Sequence, residues 1–117
     1  MGSKEIMKAG MRYAATFGIK KLTLHLGHVD KNVDREVYYS KLTPILSDLC
    51  DFANQFNQVI MIENMPGNNE FGYAPEEILK LFKLVNKENL KFIFDTGHAH
   101  VSEFDDFSYL YLLKDYL

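Results

Sequence analysis

Four side chains in this sequence have types and spacings that could do chemistry together: His25, Glu63, Asp95 and His98. The first three stand 38 and 32 residues apart, and His98 follows Asp95 by three. Two carboxylates and two imidazoles are a donor set suited to zinc, manganese or a similar divalent ion. Glu63 has two oxygens and so could bridge two such ions. A lone strand histidine is more often a hydrogen-bonded core residue, and a lone acid at a strand end often caps a helix or pairs with a lysine. Convergence of all four is what would point to a site. Acids turned inward together are costly to desolvate, and a cation removes that cost directly.

Convergence requires elements that bring distant residues to one place. Three short apolar runs have the same form: Lys21–Gly27, Val59–Asn64 and Lys91–Gly97. Each is rich in branched or aromatic residues and ends in a polar group followed by loop residues, as buried parallel strands do. Alternation puts Leu22, Leu24 and Leu26 on one side of the first run, with Thr23 and His25 on the other. In the same way Met61 and Glu63 oppose Ile60 and Ile62, and Ile93 and Asp95 oppose Phe92 and Phe94. One polar group per strand thus stands at the C-terminal end, on the face away from the bulkier hydrophobes.

Helical segments separate these runs. Glu5–Phe17 has an apolar side and a terminating glycine, Gly18. Leu42, Ile45, Leu46, Leu49, Phe52, Ala53 and Phe56 form a helical stripe. Within it Pro44 fits either a first turn capped by Thr43 or the interior of a helix begun near Asp34, the second being favoured. Pro75-Glu76-Glu77 opens a third helix, with acids at the positive end of its dipole. Asp105 or Asp106 caps a last one. His98 and His28 are placed in loops, and Cys50 in the apolar stripe as an inert buried thiol.

Strand–helix alternation predicts a parallel sheet. The spacing of the polar strand ends suits a (β/α)8 barrel, which averages about 31 residues per unit, and suits a doubly wound sheet nearly as well. The expected fold class is α/β: a partial TIM barrel of about three parallel strands with flanking helices. Residues 1–117 form a single partial domain, because three strands cannot close a barrel. The sequence reads as the middle of a longer protein. Two open sheet edges then favour a homo-oligomer.

Composition narrows the partners. Thirteen Lys plus Arg against sixteen Asp plus Glu give a formal charge of −3, which argues against binding nucleic acid through overall charge. Cys50 is the only cysteine, so an intramolecular disulfide is impossible and a reducing, cytoplasmic compartment is expected. No apolar run approaches the roughly 18 residues needed to cross a bilayer, so no membrane partner is expected.

Three motifs together resemble the xylose isomerase-like barrel superfamily, which includes the AP endonuclease family 2 proteins (endonuclease IV relatives) and the sugar-phosphate isomerases and epimerases. Leu24-His25-Leu26-Gly27 is similar to that family's His-Pro-Gly at the third strand, with Leu26 in place of the proline. Ile62-Glu63-Asn64-Met65-Pro66-Gly67 resembles its Glu-Asn motif at the fourth, and Phe94-Asp95-Thr96-Gly97-His98-Ala99-His100 its Asp-Thr-Gly/Cys-His-Ala motif at the fifth. The resemblance implies units three to five of eight. It implies that His25, Glu63, Asp95 and His98 are metal ligands, with the His98 counterpart near substrate in the sugar epimerases, and that Glu63 also serves as an acid/base group. Asn64 and His100 are the candidate substrate contacts, His100 being equally readable as a second metal ligand or a surface histidine. The family's ligands on strands two and six to eight have no counterpart here, so the chain is expected to be inactive alone.

Two reactions compete for the parent protein. An isomerase or epimerase would polarise a ketose carbonyl and hydroxyl with its metal while a carboxylate shuttles a proton. An AP endonuclease would activate water against a phosphodiester and would need basic residues to grip bent DNA. The segment Met65–Ala74 has Glu70 but no Lys or Arg, and Glu103, Asp105 and Asp106 follow the last motif. Acidic rims suit a small sugar or sugar phosphate better than a nucleic acid, which remains a partner only under the endonuclease alternative. A third reading is a catalytically silent fragment that assembles with copies of itself.

Overall fold

The computed structural model describes residues 2–117 as three parallel strands and five α-helices. In chain order the elements are α1 (Gly2–Thr16), β1 (Lys21–Leu24), α2 (Arg35–Asn54), β2 (Val59–Glu63), α3 (Pro75–Val85), β3 (Leu90–Ile93), α4 (Thr96–Val101) and α5 (Asp106–Leu113), and a 3-10 turn (Lys114–Tyr116) closes the chain. The strands pair in sequence order, β1 with β2 and β2 with β3. Lys21 lies opposite Val59, and Ile60 opposite Leu90. This unreversed order is the one that consecutive units of a barrel require.

The predicted alternation holds. Ile60, Ile62, Leu90 and Phe92 are buried under the helices with Leu46, Leu49, Ile78, Leu81 and Phe82. Met61, Glu63 and Ile93, on the other face, are only half-buried. Cys50 is fully buried, and this burial pushes its thiol pKa up to about 11, so it is inert at neutral pH.

Helix boundaries follow local chemistry. Gly18 takes φ 73° just past the end of α1, where a side chain would be strained. The longer of the two readings of α2 is the one observed: Asp34 caps it by accepting from the Glu36 amide at 3.0 Å, and Pro44 lies inside. The carboxylate at the N-cap and Pro75 at the first turn likewise explain where α5 and α3 begin.

Two surface aspartates tie these elements together. Asp105 accepts from the Ser108 amide at 2.8 Å and its hydroxyl at 2.9 Å. Asp48 of α2 pairs with Lys8 and Lys4 of α1 at 2.9 and 3.1 Å. Both carboxyls are held below the ordinary aspartate range, Asp105 by the Ser108 amide and Asp48 by Lys8 and then Lys4. A folded-state pKa below the unfolded one adds stability that is complete above the unfolded value, about 3.9, and vanishes as pH falls through the folded one. The urea midpoint is therefore expected to be flat from neutrality to about pH 5 and to fall below about pH 4. Replacing Asp105 with asparagine, which caps without charge, should remove part of that fall. A midpoint that rises on acidification would contradict the assignment.

Candidate metal centre

All the chemistry-bearing residues of the three motifs emerge at the C-terminal ends of the strands. Glu63 is the last residue of β2, His25 follows β1 directly, and Asp95 lies two residues past β3. Glu63 is the hub. Its Oε1 lies 2.7 Å from His25 Nε2, and its Oε2 lies 3.4 Å from His98 Nδ1. Asp95 Oδ2 is 3.6 Å from the same His98 nitrogen. Potential ligand atoms of Glu63, Asp95 and His98 lie within 4.8 Å of one another. His25 joins this trio through its contact with Glu63, with its ring more than half exposed.

The environment favours an ionised Asp95. The His98 main-chain amide donates to Asp95 Oδ1 at 2.8 Å and is the main reason the Asp95 carboxyl is held below the ordinary range, with Glu63 and the His98 ring acting in the same direction. Two carboxylates and an imidazole crowded at this distance match the preferences of a divalent cation, and this donor chemistry fits the ion that the sequence suggests. Among the described residues, Glu63, Asp95 and His98 are the cluster able to hold one.

The strand ends are held by their loops. Gly27 O accepts from the Phe71 amide at 2.9 Å, and Val29 N donates to Asn69 O at 2.8 Å, so the loops after β1 and β2 form one rim. His28 enters this rim through its main chain, paired antiparallel to Glu70, while its side chain is exposed. Gly72, at φ 103°, packs so closely that a Cβ would sit 3.3 Å from Glu63 O. No other residue fits there without disturbing the end of β2.

One expectation needs correction, and the side chains of two further site residues are placed apart from the ligand atoms of the cluster. His98 is not in a loop: Asp95 caps the six-residue helix α4, and His98 lies in its first turn. That helix is too short to carry a readable apolar stripe. Asn64 was expected to contact substrate but is fully buried, with both ends of its amide bonded to the Asp95 main chain: Nδ2 donates to Asp95 O at 3.0 Å and Oδ1 accepts from Asp95 N at 2.7 Å. It has no polar atom left for a ligand. Of the readings open for His100, the structure shows a surface position: it is two residues past His98 on α4, about 200° around a helix. It is exposed and lines a shallow groove with Ala99, Ser102, Phe104 and Asp105, apart from the cluster. The role of Asn64 was hidden from the sequence because it depends on main-chain partners 31 residues away.

Comparisons with known proteins agree with this fold. The chain is 34% identical over 58 residues, 49% of its length and 20% of the relative's, to the uncharacterized protein MJ1311 of Methanocaldococcus jannaschii. Its fold matches a D-tagatose 3-epimerase-like protein with a TM-score of 0.83 at 22% identity, over 97% of this chain and 43% of that one. It also matches the IOLI protein, described with a bound zinc atom, with a TM-score of 0.74 at 21% identity, over 89% of this chain and 38% of that one. The chain spans about two fifths of the length of these two structures. The family model described as Xylose isomerase-like TIM barrel matches residues 2–117. With its parallel strands in barrel order and its polar groups gathered at their C-terminal ends, the chain belongs to the xylose isomerase-like TIM barrel family.

Proposed function

We propose that this chain is the central portion of a divalent-metal-dependent sugar or sugar-phosphate isomerase or epimerase, inactive by itself. The observation that carries the reading is Glu63 placed between two imidazoles, with Asp95 completing a cation-sized cluster. A bound zinc or manganese ion would polarise a carbonyl or hydroxyl oxygen of the substrate. Glu63 and Asp95 would hold that ion, with His25 and His98 beside them.

The chain's own residues have further work to do. Glu63 is the acid/base candidate, because its Oε1 already shares a short contact with His25 Nε2, along which a proton can pass. His25, being half-exposed, connects that carboxylate to solvent. The loop after β2, Met65–Ala74, offers main-chain groups and Glu70 and has no Lys or Arg, which suits sugar hydroxyls. Likeness to a D-tagatose 3-epimerase-like protein supports the same substrate class.

The test uses manganese as both cofactor and probe. With Mn2+ bound, the resonances of D-tagatose should broaden in the presence of the chain, and the full-length parent protein should leave an abasic DNA duplex intact. Incision of that DNA at catalytic rates would favour the endonuclease alternative. Absence of any ketose broadening by the metal-loaded chain would overturn the sugar reading.

A further inference from the structure

Asn64 is the residue in this centre that no motif reading explains. It is fully buried immediately after Glu63, where the β2–β3 ladder ends at the Glu63–Ile93 pair. Its amide replaces the next rung. One end donates to the Asp95 carbonyl and the other accepts from the Asp95 amide. A two-point bond of this kind fixes both the distance between the strand ends and the direction in which the Asp95 main chain leaves β3. Asp95 Oδ1 in turn accepts from the His98 amide, which orients the carboxylate and leaves Oδ2 on the side of the His98 ring.

The main chain of Asn64 makes a further bond. Its carbonyl oxygen lies 2.8 Å from His98 Nδ1. A carbonyl has no proton to give, so Nδ1 is the donor, and whenever the ring is neutral its lone pair is on Nε2. The Nδ1 atom also faces Glu63 and Asp95, at 3.4 and 3.6 Å, so carboxylate oxygens and a carbonyl, all acceptors, surround the same N–H. We propose that Asn64 is the positioning residue of the centre: its amide aims Asp95, and its carbonyl holds His98 so that Nε2 is the atom offered to a cation or a substrate. This rests on the centre being a binding site, but the arrangement of bonds exists without ligand. A group that orients a ligand this way typically changes metal affinity by about 10- to 100-fold when removed.

The test is nitrogen NMR of the histidine rings in the intact 117-residue chain, without metal or sugar, roughly two pH units above the ordinary histidine value of about 6.5. His98 is assigned by its loss in His98→Gln. The expected result is a pyrrole-type Nδ1 and a pyridine-type Nε2 for His98, unlike the exposed His28 and His100, which are free to exchange tautomers. A proton on Nε2, or a mixture like that of the exposed rings, would overturn the proposal. In Asn64→Ala, checked for folding by circular dichroism, the carbonyl that holds His98 remains and the amide that aims Asp95 is lost, so His98 should keep its tautomer while zinc affinity falls about 10- to 100-fold. A folded Asn64→Ala with unchanged zinc affinity would remove the positioning role. Should the alanine variant not fold, the tautomer of His98 in the unaltered chain alone decides the proposal. Failure to bind any cation or sugar would count against the functional reading, while the tautomer result would stand.

Discussion

Glu63→Ala is expected to weaken zinc or manganese binding by at least about a hundredfold, more than the roughly 10- to 100-fold lost when only a group supporting a ligand is removed. Glu63 is the one carboxylate that touches both sides of the cluster, His25 through Oε1 and His98 through Oε2. Its loss takes away a negative charge, a ligand atom and the link to His25 together. Asp95→Ala should also weaken binding, and should fray α4 as well, since Asp95 is that helix's cap. Glu63→Gln keeps the shape and loses the charge, so its affinity should lie between those of wild type and alanine. Calorimetric titration of each variant, with exposed Glu88→Ala as control, reads these effects. Unchanged affinity in both alanine variants would take the two acids out of the site.

The second large effect concerns the core that holds the strand ends in place. Leu81→Ala should destabilise the chain by about 2–5 kcal/mol, the usual cost of a cavity at a fully buried leucine. Leu84→Ala, three residues along the same helix, should change stability by no more than about 0.5 kcal/mol. The contrast follows from exposure, 0% for Leu81 against 48% for Leu84. Small domains commonly have only about 5–15 kcal/mol in total, so the first variant should lower the urea midpoint markedly. Equal effects at the two positions would mean that α3 presents a different face to the sheet.

Much of this was legible in the amino-acid sequence because period and punctuation are local. Alternation in Val59–Glu63 identified which side of β2 is covered, and the polar residue ending each strand marked the face that holds the cluster. Pro75 and Gly18 marked helix ends through their backbone limits alone. What could not be read rests on contacts between distant main-chain groups. The burial of Asn64 depends on where Asp95 places its amide and carbonyl, and the sequence has no sign of that. His100 could not be placed because α4 was not foreseen, and its angle to His98 is defined only once that helix exists.

The convergence of the four side chains has consequences beyond binding. A barrel of this family gathers polar groups at the C-terminal ends of its strands, so each strand can vary its own contribution without disturbing the core beneath. In this chain the separation is visible: Ile62 faces the helices and is buried, while Glu63, the next residue, faces the cluster. The stability variants and the binding variants proposed above should therefore act independently, apart from Asp95, which serves both.

The most direct measurement is anomalous diffraction at the zinc edge from crystals of the chain grown or soaked with zinc. The account predicts one principal peak within about 2.0–2.2 Å of a carboxylate oxygen of Glu63 and of Asp95, with the His98 Nδ1 still bonded to the Asn64 carbonyl. A principal zinc peak elsewhere on the surface, with the Glu63 and Asp95 side chains turned away from each other, would contradict it.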